Sequence, residues 1–537
     1  MATTLRASST LALGTTLLLI AGTLAAPARL VAASPDFPRG YEGYHTYEEM
    51  AARVAAVGAA HPGIVQVFSI GQSHQGRELW AAKVSDNVGL DEPEPEVLYD
   101  GGHHALEHMS AEMTLRILDW LAEGYGTDPR ITNVVDSREI WIVFSVNPDG
   151  AAYDISGGRF HRWRKNRQPT PGSSAVGTDL NRNYGYRWGG GGLTSPDPRS
   201  SFYRGPAAFS APETRAMRDF LASRVIDGRQ QIRTAITFHE SGRLVMWPYG
   251  WTLSDVPRDM TRDDQAALSA IGRRMAATNG YRPIQASDLY VSSGSSRDYL
   301  YGTYRIFVYT FELSTGADYF DDSRIASETG RNREAVLYLA ERAWCPYSVL
   351  GADVRRARCG AFDDDLEVPR GWTVNHDGLD TASGGRWQQG HAAATSSAGT
   401  KQLGTSPSGW KWFATGLGAG TSAGGNDVDG GTTSVTSRAI TLPATSGQRL
   451  TFRYAFGHGP GGTADDAFRV EVVAAAGPAT VFSVEGAAAD SDAVWRSASV
   501  PLDTWAGQSI RLRFSATDGG PDTLVEAAFD DVRVTLP

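Results

Sequence analysis

The feature that most constrains the fold of this chain is a change in hydrophobic pattern near residue 345. Across residues 41–342, segments with helical periodicity alternate with short apolar strands, an order typical of α/β layer architectures. Across residues 362–537, Gly, Ser, Thr and Ala dominate and only short alternating runs recur, a pattern typical of a β-sandwich or jelly roll. The sequence therefore predicts two domains of different class, with a boundary within residues 346–361.

The pattern also predicts individual elements. A capping box, Thr46-x-x-Glu49, opens a helix through residue 60, and Ser210-x-x-Glu213 opens another. Further helices are predicted at 109–122 and 328–343, and strands at 64–70, 78–85, 96–100, 139–145, 231–238 and 306–311. In the second domain, strands are predicted at 448–456, 467–473, 493–500, 509–515 and 525–534.

Residues 1–33 have the pattern of a secretory signal peptide. Arg6 supplies the positive charge, residues 11–24 are apolar, and Ala26-Pro27-Ala28 is a small-x-small cleavage site. The alternative is a membrane anchor, but the apolar run is short and no stop-transfer pattern follows it. We therefore expect an exported protein without a membrane span.

The chain has two cysteines, Cys345 and Cys359, and their spacing does not match a metal site. In an oxidising compartment two cysteines allow one intramolecular disulfide, and the alternative is two buried thiols. The formal net charge of −10 argues against nucleic acid as a partner.

The strongest local signal is the segment from Gly101 to His108, which follows a predicted strand and opens a predicted helix. His104 and Glu107 are three residues apart, so both side chains can reach one zinc ion at the start of a helix. The same segment also matches H-x-x-E-H, in which His104 and His108 are both ligands and the glutamate is a base. A third interpretation is a histidine-rich turn at a solvated helix end.

Polar residues further along the chain add to this signal. His239 ends a predicted strand, and Glu312 ends another, where an unpaired charge is costly. Arg162–Arg167 is a basic cluster in a predicted loop, and Asp179–Asn183 is a polar cluster without helical periodicity. The plain alternative for the basic cluster is a solvated charge run, and for Glu312 it is a satisfied core carboxylate.

Taken in order, the motifs H-x-x-E, N-P-D-G, W-R-K-N-R, D-x-N-R-N, F-H, W-P-Y-G, L-Y-x-x-S-G and T-F-E-L resemble the zinc carboxypeptidase family of the carboxypeptidase A type, in particular its bacterial secreted carboxypeptidase T branch. The resemblance covers residues 41–347. It implies a three-layer α/β/α catalytic domain with a mixed, mostly parallel sheet, and it disfavours the H-x-x-E-H interpretation. It also implies a secreted exopeptidase that binds one zinc ion per chain and takes peptides with a free C-terminus.

The resemblance implies a role for each matching residue. His104, Glu107 and His239 would hold zinc, and Asp179 would orient the first histidine. Glu312 would be the general base and Arg164 the cation that stabilises the oxyanion. The substrate's terminal carboxylate would be bound by Asn181 and Arg182, and Tyr290 would close over the substrate.

Three features of the sequence depart from the family pattern or vary within the family. Leu106 stands where relatives usually have arginine, which puts part of the outer subsite in doubt. Only about residues 34–40 separate the signal from the catalytic domain, so no inhibitory prodomain is expected. Arg297 matches the floor of the pocket for the departing side chain, and we expect it to favour C-terminal Glu or Asp. The alternative is that Arg297 pairs with Asp298 and leaves a broad apolar pocket.

The second domain, residues 362–537, resembles the jelly-roll modules of secreted bacterial hydrolases. The clusters Asp363–Asp365 and Asp530–Asp531 are candidate calcium ligands, against the more favoured alternative of solvated acidic loops. Trp387, Trp410 and Trp412 are either sugar-stacking surface residues or core residues, the commoner fate.

Two other functions compete with the exopeptidase. One is a catalytically silent adhesion protein, which the complete set of ligands and base disfavours. The other is a zinc amidase acting on cell-wall peptides, which Asn181 and Arg182 disfavour. A monomer is expected.

Overall fold

The computed structural model describes residues 37–92, 94–418 and 423–535. The predicted signal peptide, at residues 1–33, lies outside the described residues. No helix within the described ranges combines the length and apolar character needed to cross a membrane.

The α-helices of the described residues lie mostly in the first domain. They are α1 Tyr47–Ala60, α2 His108–Gly124, α3 Pro129–Val135, α4 Pro148–Asp154, α5 Pro212–Ser223, α6 Arg262–Asn279, α7 Ser296–Tyr304, α8 Ile325–Gly330, α9 Arg333–Arg342 and α10 Ala352–Arg358. The predicted capping box is confirmed, since Thr46 and Glu49 satisfy each other's backbone N–H groups at the start of α1.

The first domain is built on one eight-stranded mixed sheet, which confirms the predicted fold class. Its strands are β1 Val65–Gln72, β2 Glu78–Val84, β3 Glu96–Asp100, β4 Glu139–Val143, β7 Ile232–Glu240, β8 Leu244–Trp247, β9 Arg282–Gln285 and β10 Phe307–Leu313, and a separate hairpin consists of β5 Val225–Ile226 and β6 Arg229–Gln230. The spatial order is β1-β2-β4-β3-β7-β10-β8-β9. Every residue of β3 and β4 is buried, as expected for strands covered on both faces.

The second domain consists of two six-stranded antiparallel sheets and a separate two-stranded one. Its strands are β11 Phe362–Asp364, β12 Thr373–Val374, β13 Trp387–Gly390, β14 Thr395–Ser396, β15 Thr400–Gln402, β16 Trp412–Thr415, β17 Gly431–Thr436, β18 Ile440–Thr441, β19 Arg449–His458, β20 Ala467–Ala474, β21 Gly477–Glu485, β22 Arg496–Pro501, β23 Ser509–Asp518 and β24 Val525–Val534. One sheet has the order β13-β16-β24-β19-β22 and the other β12-β17-β23-β20-β21. Phe514 and Phe529, one from each sheet, stack with ring centroids 4.0 Å apart, so the sheets face each other across one core.

The two regions have separate apolar cores, one formed by residues up to Tyr347 and the other by residues from Phe362 onward. Trp387 and Trp412 are buried, whereas Trp410 is half-buried and stacks on His391. The predicted disulfide between Cys345 and Cys359 is present and encloses α10. It therefore links the end of the first core to the start of the second.

Two helix predictions are wrong in detail. Ser210 does not cap α5, because the N-cap is Ala211 and the Ser210 hydroxyl instead accepts a hydrogen bond from Asn183. The predicted helix at 328–343 is broken between α8 and α9. Asn332 lies at that break and donates to Tyr281 Oη and to the Glu328 carbonyl, so side-chain contacts replace helix continuity.

Candidate active site

The candidate site lies where three parallel strands of the first sheet end. Strands β3, β7 and β10 are adjacent, with Asp100 beside Thr237 and His239 beside Glu312. Paired residues of neighbouring strands point to the same face of the sheet, so the side chains of His239 and Glu312 leave adjacent strands on the same face. The carboxyl edge of a parallel sheet is the usual place for a ligand site.

The three predicted zinc ligands meet at this edge. His104 follows β3, Glu107 is the N-cap residue of α2, and His239 lies near the end of β7. His104 Nδ1 lies 2.6 Å from Glu107 Oε1, and His239 Nδ1 lies 2.8 Å from Glu107 Oε2. The two Nδ1 atoms are 3.1 Å apart. All three side chains are buried.

This arrangement fits a zinc ion. Two imidazole nitrogens and a carboxylate directed at one point form the three-ligand set of catalytic zinc sites. Burial raises the pKa of Glu107, but His104 and His239 outweigh that effect and hold the pKa below its usual value, so the carboxylate is charged. The Nε2 atoms of the two histidines, which face away from the ion, also have neighbours. His104 Nε2 lies 3.2 Å from Asp179 Oδ1, and His239 Nε2 lies 3.2 Å from the Asn181 side-chain nitrogen.

The neighbouring histidines are engaged elsewhere. His103 Nε2 lies 2.9 Å from the Tyr184 hydroxyl, and His108 Nε2 lies 3.0 Å from Asp154 Oδ2. His108 belongs to α2 and points away from the trio. The geometry therefore excludes the H-x-x-E-H interpretation, in which His108 would be a ligand.

Asp179 connects the trio to the basic cluster. Its carboxylate accepts a 3.0 Å hydrogen bond from Arg164 Nε and lies against His104. Burial raises the pKa of Asp179, but Arg164 and His104 outweigh it and hold the pKa well below its usual range. Arg164 Nη1 in turn lies 3.9 Å from Glu107 Oε1, so the guanidinium stands beside the metal ligands.

Arg182 lines a cavity beside the zinc ligand His104. Its Nε donates to the Leu193 carbonyl and its Nη1 to the Asn181 carbonyl, which fixes the guanidinium plane. Its Nη2 is buried without a hydrogen-bond partner among the described residues. The Asn181 side-chain amide already has partners. Its Oδ1 accepts from the Ser296 backbone N–H, and its Nδ2 contacts His239.

Glu312 and Tyr290 line the same cavity as Asn181 and Arg182. Burial and the nearby Glu107 carboxylate raise the pKa of Glu312, against an opposing effect of the surrounding cations. Tyr290 is 39% exposed and lies in a loop, with its ring 5.8 Å from the Arg182 guanidinium. It is therefore placed at the mouth of the cavity.

Arg297 lies in the first turn of α7 and forms part of the cavity wall. Its Nε donates to Asp298 at 3.3 Å and its Nη1 to Thr310 at 3.1 Å. A Cβ at Gly250 would fall 2.3 Å from Arg297 Nη2, so only glycine leaves room for this guanidinium. The Asp298 carboxylate also accepts from the Gly250 and Trp251 N–H groups, which divides its charge among three donors.

Sequence reasoning missed Gly250, Thr310 and Ser296, which position Arg297 and Asn181. Gly250 ends the motif W-P-Y-G and Thr310 begins the motif T-F-E-L. Membership of these motifs is the one sequence signal that could have indicated a role at the site. Leu106 lies beside Phe160 and Tyr319, whose rings stack with centroids 3.7 Å apart. This wall is apolar where relatives usually carry a cation.

A buried His–Glu–His set beside a carboxylate and two guanidinium groups, at the carboxyl edge of a mixed sheet, defines the class of metal-dependent hydrolases. Comparison with known proteins gives the family. The family model described as zinc carboxypeptidase matches residues 50–335. The chain belongs to the zinc carboxypeptidase family and is a metallocarboxypeptidase.

Individual relatives agree with this assignment. A zinc carboxypeptidase of Saccharothrix mutabilis subsp. capreolus is 44% identical over 320 residues, covering 59% of this chain and 73% of the relative. Carboxypeptidase A2 of Rattus norvegicus is 33% identical over 281 residues, covering 52% of this chain and 64% of that protein. The crystal structure of thrombin activatable fibrinolysis inhibitor superposes with a TM-score of 0.51 at 27% identity, covering 58% of this chain and 77% of that one.

Proposed function

We propose that this protein is an exported exopeptidase that releases the C-terminal residue of peptides and prefers acidic residues at that position. The observation that carries the proposal is the unpartnered, buried Nη2 donor of Arg182 in the cavity that also contains Glu312. An unsatisfied buried guanidinium nitrogen is costly unless a ligand completes it. The free carboxylate of a peptide's last residue supplies such an acceptor.

Recognition of the chain end involves three residues in this proposal. Arg182 binds the terminal carboxylate, and Asn181, whose backbone carbonyl accepts from Arg182 Nη1, holds the guanidinium in place beside the zinc ligands. Tyr290 is half-exposed beside Arg182 and closes over the bound residue. Because the clamp binds the α-carboxylate of the residue that follows the scissile bond, internal peptide bonds, which lack one, are not positioned for cleavage.

Bond cleavage follows from the groups around the zinc ligands. Zinc held by His104, Glu107 and His239 would supply an activated water and polarise the scissile carbonyl. Glu312 takes a proton from the attacking water and passes it to the leaving amine nitrogen. Arg164, held by Asp179, stabilises the negative charge that develops on the carbonyl oxygen.

The acidic preference rests on Arg297. Its guanidinium lines the cavity, and Asp298, its nearest carboxylate, also serves two backbone N–H groups. The charge of Arg297 is therefore only partly neutralised, and a substrate Glu or Asp side chain completes the pairing. The competing outcome is a broad apolar preference, for which Met246 and Ala286 provide apolar wall.

Export is part of the same proposal. It rests on the signal-peptide pattern at residues 1–33 and on the disulfide between Cys345 and Cys359, since disulfides persist in oxidising compartments. Calcium binding by the second domain stays a prediction. Asp363, one of its candidate ligands, pairs with Arg358 and Arg533.

The test is a matched set of peptides ending in Glu, Phe, Leu and Lys, each made as free acid and as amide, assayed with and without a chelator. We expect release of Glu to be fastest, amides to be poor substrates and the chelator to abolish turnover. Equal rates on acids and amides would indicate an amidase or endopeptidase. Absence of turnover with zinc bound would indicate the silent binding protein.

A further inference from the structure

A second cavity, of about 280 Å³, lies between the two domains and is separate from the active site. The first domain contributes the β5–β6 hairpin, the start of β7 and the C-terminal end of α7. The second domain contributes Asp363 and the segment Val368–Arg370. Arg297 lies at the opposite, N-terminal end of α7, so this cavity is not an extension of the substrate pocket.

The junction around the cavity is closely packed. Gly228, at the tip of the β5–β6 hairpin, meets Gly371 of the second domain. A Cβ on Gly228 would lie 2.2 Å from Gly371 Cα, and a Cβ on Gly371 would lie 2.6 Å from the Asp227 carbonyl oxygen. Both glycines also have positive φ angles, of 72° and 79°. The hairpin therefore holds its arginine, Arg229, at a fixed place against the second domain.

The wall of the cavity carries an excess of positive charge. Arg229, Arg233, Arg305 and Arg370 line it, against one carboxylate, Asp363. Asp363 is already paired with two other guanidinium groups, Arg358 at 3.2 Å and Arg533 at 3.0 Å. It therefore does little to neutralise the cations that line the cavity.

Arg229 and Arg233 have no carboxylate partner and no side-chain hydrogen bond within the described part of the chain, although both are partly buried. Arg370 donates to the Asp363 carbonyl oxygen, but its nearest carboxylates are 3.9 and 4.0 Å away. The Arg233 guanidinium and burial hold the pKa of Arg229 well below its usual range. Since arginine stays protonated in proteins, this repulsion is not relieved by loss of a proton.

We propose that this cavity binds a small multivalent oxyanion of the phosphate type, held by Arg229, Arg233 and Arg370. Guanidinium groups bind such oxygens in bidentate pairs, and one dianion would neutralise the unpaired charge of the first two arginines. The volume is at the lower end for ligand pockets, which suits inorganic phosphate or a short phosphate ester and excludes a polymer. Because both domains line the site, the anion would also hold them together.

The experiment measures binding of inorganic phosphate to the full chain by calorimetry, with thermal unfolding in phosphate and in chloride of equal ionic strength. We expect saturable binding at one site and a melting temperature about 3 °C higher in saturating phosphate. A parallel titration with ethyl phosphate distinguishes the two candidate ligands. Tighter binding of the ester indicates a phosphate monoester, and tighter binding of inorganic phosphate indicates the free ion. A chain without saturable phosphate binding would overturn the proposal.

Two variants test the residues. Arg229→Gln and Arg233→Gln should each weaken phosphate binding about tenfold or more, as expected for loss of a charge-assisted contact. Arg274→Gln, on an exposed position of α6, is the matched control and should bind as wild type does. Without phosphate, Arg229→Gln should melt at the same temperature as wild type or higher, because it removes repulsion. A lower melting temperature in phosphate-free buffer, or unchanged phosphate affinity, would show that Arg229 is only structural.

Discussion

The two regions of this molecule both bury carboxylates, but they compensate for that burial in different ways. In the first domain, Asp179 lies between Arg164 and His104, and opposite charge offsets the cost of burial. In the β-sandwich, Glu526 accepts a hydrogen bond from Thr415 and forms no ion pair within the described residues. Burial raises the pKa of Glu526 to about 9, so that side chain is neutral at pH 7.

This difference separates a reactive site from a structural one. The carboxyl edge of a parallel sheet collects side chains from several strands, so charges there can be paired and still face a cavity. Val525 and Ala527 belong to the core between the two sheets, so Glu526 points to the opposite face of β24, where among the described residues its side chain accepts only the Thr415 hydroxyl. Asp179 therefore keeps its charge beside the zinc ligands, whereas Glu526 is held neutral. The predictions below test that distinction.

The largest effect is expected for Glu312→Gln. Removing the base should lower kcat by about 10²- to 10⁴-fold, because no other group takes the proton from the attacking water. Zinc content should stay stoichiometric, as measured by atomic absorption, since Glu312 is not a ligand. Glu526→Gln is the matched control from the β-sandwich and should leave kcat unchanged. Loss of zinc from Glu312→Gln would contradict the assignment.

The next effect concerns recognition of the chain end. Arg182→Ala should lower kcat/KM on free-acid peptides by about 10- to 150-fold, the loss expected for a hydrogen bond to a charged group. On the corresponding amides it should cause little further loss, because the charged partner is already missing. Arg199→Ala, at an exposed position in the same region of the chain, should behave as wild type. An equal loss on acids and amides would mean that Arg182 acts only on the fold.

Arg297→Ile should change specificity and pH dependence together. We expect the kcat/KM ratio for Glu over Phe release to fall about tenfold or more, because the substrate carboxylate loses its cation. Arg297 also lowers the pKa of Glu312, so its loss raises that pKa. A base works when deprotonated, and the acidic limb of kcat/KM should therefore move to higher pH. Arg297→Lys keeps the charge and should retain both properties. A wild type that prefers Phe would remove the basis for this prediction.

The smallest effect on catalysis is expected for a substitution in the β-sandwich, which changes the free energy of unfolding instead. Glu526 has a folded-state pKa of about 9, above the 4.5 of a solvent-exposed glutamate, so the native state holds a proton that the unfolded state releases. The stability this gives is full below pH 4.5 and is lost as pH rises towards 9. Glu526→Gln, always neutral, should therefore stabilise the protein by about 4 kcal/mol more at pH 8 than at pH 5, because the gain rises by about 1.4 kcal/mol for each pH unit between the two pKa values. Chemical unfolding at the two pH values measures this.

The control for that prediction is Glu485→Gln, an exposed position on β21. It should change stability little at either pH. A gain from Glu526→Gln that is the same at pH 5 and pH 8 would show that packing, rather than the proton, is responsible.

Much of the first domain follows from its sequence. Strand β3 begins and ends at the predicted residues, because an apolar run bounded by polar residues has one stable placement in a covered sheet. In the β-sandwich, the sequence pattern predicts neither the short strands β11–β18 nor the longer strand β21. Strand β21 is mostly exposed and lies at the end of its sheet's strand order, so it lacks the alternation that marks a half-buried strand.

The sequence by itself determined the nature of the site. His104 and Glu107 are close in the chain, so a strand followed by a helix start can direct both side chains at one ion, and the ordered downstream motifs disfavour the alternatives. Only the tertiary structure decided how distant residues meet. His239 and Glu312 are adjacent through parallel pairing of β7 and β10, and Arg297 fits because Gly250, on another segment, has no side chain. The arginine-lined cavity depends on contact between two domains, and hydrophobic pattern carries no signal for such a contact, because pattern records burial within an element rather than which elements meet.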